Sequence, residues 1–191
     1  MEYSRSYDMI RIIAGTYKGR FLKVPDSKVT RPTMDKVRQA LFNAIKDKSL
    51  GSVALDLFAG SGAMGLEALS RGAKQVYLND KNRSTFVIMR ENALSLSTEK
   101  DKIILSNLDY RVFLKRNTDL KFDLVILDPP YKFTINADII EYMKKFSMLN
   151  DDAVIISEQD YPNKEIDGFT MKEYRYGQKH VGLYTYKKES E

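Results

Sequence analysis

The chain has 191 residues, 43% of them apolar, which suits one packed domain with at most a small appendage and excludes wholesale disorder. It holds no cysteine and one histidine, His180; this excludes disulfides, thiolate nucleophiles and metal sites built on cysteines or several histidines, and suits a reducing cytoplasmic setting. The net charge of +5 is uneven, since residues 1–50 carry 11 Lys and Arg against 5 Asp and Glu while the other 141 residues carry 20 against 21.

A near-neutral body with a basic N-terminal arm fits a polyanionic partner, although a merely solvated surface has the same charge balance. No apolar run approaches the roughly 20 residues of a membrane span. The start, M-E-Y-S-R-S-Y-D, lacks the apolar stretch of a secretion signal. Residues 1–8 read as an extension ahead of a more orderly pattern.

Residues 10–13 (I-R-I-I) and 21–24 (F-L-K-V) predict two short strands around the glycine-punctuated turn A-G-T-Y-K-G-R. Thr33 is a predicted N-cap, after which Val37, Leu41, Phe42 and Ile45 recur at helical spacing. Arg31, Lys36 and Arg38 cluster near the start of that helix. From residue 53 the pattern becomes V-A-L-D-L-F, V-Y-L-N-D, K-I-I-L-S, F-D-L-V-I-L and A-V-I-I-S-E, five strand-like runs. Helical segments separate them, ending near Arg71 and covering about 82–97, 110–116 and 137–148. The tail, residues 173–186, reads as two strands joined by a turn. Strands alternating with helices predict an α/β fold with a mostly parallel, doubly wound sheet. The expected division is a basic extension over residues 1–48 and a body over 49–191. In such sheets ligands bind beyond the carboxyl ends of the strands, so chemistry is sought there.

After the first body strand, D-L-F-A-G-S-G-A-M-G contains Gly60, Gly62 and Gly65 in the spacing G-x-G-x-x-G. Glycines there allow a tight turn and close approach of a ligand to the backbone, or simply pack a helix on a strand. Asp80 follows the second strand, 20 residues after Gly60, where a carboxylate can accept from ribose hydroxyls; an ordinary surface acid is the alternative. Asp109 follows the third strand and either accepts from an adenine amino group or caps the next helix. Asp56 precedes the glycine turn. A carboxylate there repels a pyrophosphate and suits the cationic amino group of S-adenosylmethionine, or else only orients the loop.

The fourth strand runs into D-P-P-Y, Asp128 to Tyr131. Pro129 and Pro130 have fixed φ and no N–H, so they end the ladder and stiffen the exit; Asp128 is restricted by the proline after it. A carboxylate and backbone carbonyls held beside an aromatic ring suit an exocyclic amine on a planar base, which needs acceptors for its N–H groups and a stacking surface. A plain strand stop is the alternative.

D-L-F-A-G-S-G, Asp80 and D-P-P-Y together resemble the class I S-adenosylmethionine-dependent methyltransferases that act on amino groups of bases. R-I-I-A-G-T-Y-K-G-R, R-P-T-M-D-K-V-R-Q-A-L-F-N, the extended motif D-L-F-A-G-S-G-A-M-G-L-E-A-L-S-R-G-A and the terminal Y-R-Y-G narrow the resemblance to the RsmD type, the 16S ribosomal RNA guanine-N2 methyltransferases, from about Ile10 to Tyr186. The resemblance implies a Rossmann-like seven-stranded sheet with an N-terminal β-hairpin and helix that grip RNA, and activity on guanine 966. It implies S-adenosylmethionine contacts at Asp56, Phe58, Ala59, Gly60, Ser61, Gly62, Gly65, Asp80, Lys81, Asn107, Leu108, Asp109 and Asp128. The same resemblance assigns the target base to Asp128, Pro129, Pro130 and Tyr131, and requires no metal. RNA contacts are expected at Arg11, Lys18, Arg20, Arg31, Lys36 and Arg38, although Arg31 and Arg38 have the alternative of pairing with Asp35 or acids of the body. The expected partner is 16S ribosomal RNA in an assembling 30S particle, with no membrane, and the expected state is a monomer. The sequence departs from the family in carrying Asp80 where Glu is frequent and polar Asn79 where an apolar residue is usual. The rival readings are an adenine-N6 DNA methyltransferase, a non-catalytic RNA-binding or assembly protein and, weakest, a nicotinamide oxidoreductase.

Overall fold

The computed structural model describes residues 8–25, 31–96, 100–130 and 135–187. In the N-terminal extension, β1 (Asp8–Arg11) and β2 (Phe21–Val24) pair antiparallel, with buried Ile10 opposite buried Leu22. β1 ends two residues earlier than the I-R-I-I run predicts. The amides of Ile13 and Ala14 turn out of the ladder and donate to the Glu67 carboxylate at 2.8 and 3.1 Å. Helix α1 (Arg31–Ala44) begins two residues before Thr33, so Thr33 is not its N-cap. Pro32 occupies the first turn, where a missing N–H leaves no helical bond unmade.

The body alternates as the sequence predicts. It runs β3 (Val53–Asp56), α2 (Ala63–Ser70), β4 (Gln75–Asn79), α3 (Arg83–Leu96), β5 (Ile103–Ser106), α4 (Tyr110–Arg116), β6 (Phe122–Leu127), α5 (Asn136–Lys145) and β7 (Leu149–Gln159), then β8 (Phe169–Tyr176) and β9 (Lys179–Tyr186). The seven body strands form one sheet in the order β5-β4-β3-β6-β7-β9-β8. The first five are parallel, and β9 lies antiparallel between β7 and β8. The order reverses between β3 and β6, which makes their carboxyl ends the switch point of the sheet. Successive residues of the central strands face opposite layers. Ala54, Ile126 and Val154 join one apolar cluster, and Leu55, Val125 and Ile155 join the other, as period-two alternation requires.

The extension is bonded into the body. Leu22, Leu41, Phe42 and Ile45 share one apolar cluster with Leu66 and Leu69 of α2. Gly15 lies so close to α2 that a Cβ on it would stand 1.7 Å from the Ser70 carbonyl oxygen. At the centre of the seam is Glu67, fully buried. Besides the two hairpin amides it accepts from Arg71 Nε at 2.7 Å, and Arg38 Nε stands 3.7 Å away. The Arg38 guanidinium also donates to Asp35 at 2.9 Å and to the Arg11 carbonyl. Two arginines and two acids thus neutralise one another under the hairpin. Removing the central carboxylate leaves two cations facing each other, and uncompensated buried charge costs about 3–5 kcal/mol. Glu67→Ala is therefore expected to lower the free energy of unfolding by that amount in chemical denaturation; a loss below about 1 kcal/mol would contradict this account of the seam.

Candidate active site

Each strand of the parallel half delivers a polar residue to the same edge. Asp56 ends β3, Asn79 ends β4 and Ser106 ends β5; Asp80 directly follows β4 and Asp128 directly follows β6. The loops that carry them are fixed by side chains. Buried Asn79 uses its whole hydrogen-bonding capacity: its amide nitrogen donates to the carbonyls of Leu57 at 3.1 Å and Leu108 at 3.0 Å. Its oxygen accepts from Ser106 Oγ at 2.8 Å and the Leu108 amide at 3.2 Å. The loops after β3 and β5 are therefore tied to the end of β4, and this is what the polar residue at an usually apolar position does. Asn107 adds a second tie, donating to the carbonyls of Asp80 and Lys81 at 2.7 and 3.1 Å.

The three glycines of the motif divide the work. Gly60 has a φ of +55°, and a Cβ there would meet no atom within 4 Å, so the space over it is open to a ligand. Gly62 and Gly65 serve packing. A Cβ at Gly62 would lie 3.2 Å from Met89, and one at Gly65 would lie 2.2 Å from Leu78. The Gly60 amide donates to Asp80 Oδ2 at 2.8 Å, and Asp80 Oδ1 accepts from the Asn82 amide at 2.7 Å. A carboxylate has about four acceptor positions, so two remain unused by these amides. Ser61 is held through its carbonyl by Asn92, whose side chain also binds the β2 backbone at Lys23. Phe58 packs on Tyr110 with ring centroids 5.5 Å apart, and Ala59 bonds to the Asn79 carbonyl.

Asp109 does cap α4, accepting from the Arg111 amide at 3.0 Å. It also pairs with the Arg111 guanidinium and with Lys81 at 3.2 Å. The Arg111 hydrogen bonds hold its carboxyl well below the usual range, so it is a fixed negative charge at the rim. Asp56 is buried and orients the loop, accepting from the Gly65 amide at 3.0 Å. Burial raises its pKa to about 7, the Gly65 hydrogen bond opposes the rise and nearby Asp80 adds to it.

Asp128 is crowded by protein yet exposed, the combination found on the floor of an open cleft. That crowding, with Glu158, Asp56 and Asp160 close by, raises its pKa, and Lys179 partly offsets the rise. Pro129 is buried and Pro130 exposed at the same exit. Tyr131 lies outside the described residues.

The six expected RNA contacts do not stay together. Arg38 is buried in the Glu67 seam, only 5% exposed, so it is not available to RNA and the alternative of pairing with Asp35 and a body acid is what the structure shows. Arg11, Lys18, Arg20 and Lys36 are exposed. Lys18 and Arg20 sit at the hairpin tip, where Thr16 bonds to Ser70 at the end of α2 and Arg20 bonds to Ser95 near the end of α3. That is the end of both helices remote from the strand carboxyl edge. Lys36 is nearer the cleft: α1 runs alongside α2, with Arg38 at Glu67 and Phe42 under Arg71, so its start points to the glycine loop. The Arg31 side chain lies outside the described residues. Among the described residues no group of three or more acids and histidines could hold a metal, and no helix is long and apolar enough to cross a membrane.

The residues that sequence reasoning missed are Glu67, Asn136 and Glu158. Glu158 was within reach, because it ends the run A-V-I-I-S-E as Asp80 ends V-Y-L-N-D. Glu67 carried no local signal, since its partners lie 53 and 54 residues away in the chain.

Because the folded-state pKa of Asp56 lies above the ordinary 3.8, at about 7, the native state holds its proton where the unfolded chain has released it. The stability this gives is complete below pH 4 and is lost as pH rises through 7. Asp56→Asn is expected to flatten the fall in stability between pH 4 and 8, measured as thermal midpoints; an unchanged slope would contradict the assignment.

A solved Escherichia coli structure described as a candidate methyltransferase, yhhF, superimposes with a TM-score of 0.84 at 31% identity, covering 95% of this chain and all of that one. A candidate methylase from Haemophilus influenzae gives 0.80 at 31% identity, with the same coverage. The chain is 36% identical over 154 residues to the Ribosomal RNA small subunit methyltransferase D of Escherichia coli, covering 81% of this chain and 76% of that protein. It is 33% identical over 181 residues to the protein of that name from Haemophilus influenzae, covering 93% and 92%. The family model described as Conserved hypothetical protein 95 matches residues 10–185, and with these relatives it shows that the chain belongs to the RsmD family of methyltransferases.

Proposed function

We propose that the protein transfers a methyl group from S-adenosylmethionine to the N2 amine of a guanine in 16S ribosomal RNA, guanine 966 by the family resemblance. The observation that carries the reading is Asp128, an exposed acid at the switch point, set between the cofactor loops and a rigid Pro129–Pro130 exit. The open space over Gly60 and the two unused acceptor positions of Asp80 fit the donor's nucleoside. Asp109 and Leu108 border the same edge. S-adenosylmethionine supplies an electrophilic sulfonium methyl and leaves as S-adenosylhomocysteine.

The chain's own part is to aim the amine. The N2 lone pair of guanine is delocalised into the ring. Accepting its two N–H bonds at the Asp128 carboxylate and the Pro129 carbonyl localises that pair and points it at the donor. The family resemblance gives Tyr131 the role of stacking on the base. Orientation of this kind is worth roughly 7–11 kcal/mol. The methylated amine sheds one proton, and the raised proton affinity of Asp128 suits it to take that proton up. Asp128→Asn is expected to lower turnover about a hundredfold or more while S-adenosylhomocysteine affinity by calorimetry stays within twofold. Parallel loss of donor affinity would contradict this division of roles.

Lys36 grips RNA near the cleft, and Arg11, Lys18 and Arg20 meet phosphates further along, as befits a large substrate such as an assembling 30S particle bound by a monomer in the cytoplasm. Charge reversal at both Lys18 and Arg20 is expected to reduce the slope of log affinity against log salt by about one to two, since each phosphate contact contributes about 0.7–0.9. An unchanged slope would make the hairpin tip purely structural.

A further inference from the structure

Asp128 has a second acid beside it. β6 and β7 are parallel neighbours with Leu127 opposite Ser157, so Asp128, the first residue past β6, stands beside Glu158 near the end of β7. Buried Asn136 ties the two strand ends together: its amide nitrogen lies 3.4 Å from the Leu127 carbonyl, 2.9 Å from Ser157 Oγ and 3.2 Å from the Glu158 carbonyl. The Glu158 side chain is itself clamped. Lys179, at the start of β9, stands 3.5 Å from Glu158 Oε1 and 3.1 Å from Asp160 Oδ1. The Glu158 side chain is 23% exposed, so the ammonium steadies it without sealing it from a ligand. Burial raises its proton affinity and Lys179 pulls it back down.

A base whose N2 amine is held by Asp128 and the Pro129 carbonyl presents a second donor next to the first. In guanine that donor is N1–H, and a buried donor without a partner costs free energy. In adenine, or any purine lacking that hydrogen, N1 is instead a lone pair. We propose that Glu158, steadied by Lys179, is the specificity-determining residue for the target base: its carboxylate accepts guanine N1–H and repels a base that offers a lone pair at that position. The proposal rests on the guanine-N2 reading given above. It assigns the choice of guanine over adenine, which D-P-P-Y leaves open, to the neighbouring strand.

The test uses the full chain and an RNA fragment spanning the guanine that the wild-type protein methylates, made with guanine or with 2-aminopurine there. 2-Aminopurine keeps the N2 amine and has no N1–H. Wild type is expected to prefer guanine in kcat/KM by about a hundredfold or more, since sites built to bind a donor reject analogues lacking it. In Glu158→Gln the amide can turn either its oxygen or its NH2 to the base, so the preference should narrow at least about tenfold; comparing residue and base changes in one cycle isolates their coupling. S-adenosylhomocysteine binding reports that the variant is folded. Should that binding be lost, Lys179→Met carries the same test, because it frees the carboxylate without removing it and should also narrow the preference. An unchanged preference in a variant that binds the donor product overturns the role of Glu158 and leaves the methylation reading standing. A wild-type protein that methylates no guanine overturns both.

Discussion

Four hydrogen bonds at one buried amide, two donated and two accepted by Asn79, hold the cleft in shape. A parallel sheet collects the polar ends of its strands on one edge, and here several of those ends are acids that repel one another. Left to themselves, loops carrying Asp56, Asp80 and Asp109 would spread apart. Asn79 sits at the middle of them, on β4, and bonds to the backbone on either side. The loops it joins carry the open glycine, Gly60, and the acid at the rim, Asp109. Asn107 and Asn136 repeat the device further along, so neutral amides lace the edge together.

Cations do reach that edge, each paired with acids there. Lys179 lies between Glu158 and Asp160, and Arg111 with Lys81 lies on Asp109. At Asp128, exposed but crowded by protein, desolvation and the neighbouring acids raise the affinity for a proton. A group that accepts N–H bonds from an amine and then receives a proton needs that environment. The basic residues of the extension serve a different end: Arg38 is spent on fixing the hairpin through Glu67, and only the exposed cations are left for a polyanion.

Much of this was legible in the sequence, and what was missed has physical causes. Short continuous apolar runs with polar residues at their ends identified the strands and their functional edge, because a buried parallel strand must be apolar along its length and polar only where it leaves the core. Gly60, Gly62 and Gly65 were recognisable as a motif, but their different tasks depend on what lies across from them, Leu78 and Met89 for two and open space for the third. Thr33 misled because capping preference is a local rule and Pro32 starts the helix just as well. Arg38 looked like its exposed neighbours because one-dimensional clustering of charge does not say which cation faces inward. Glu67 and Lys179 depend on partners brought by tertiary packing, and no spacing rule announces them.

The claim on which the account stands is that Asp128 and its surroundings methylate the N2 amine of guanine in small-subunit ribosomal RNA. The most direct measurement is nucleoside mass spectrometry of that RNA after incubation with the protein and isotopically labelled S-adenosylmethionine. The account predicts labelled N2-methylguanosine from a single position, absent with Asp128→Asn. Label recovered in N6-methyladenosine, or in no nucleoside although the donor product binds, would contradict it.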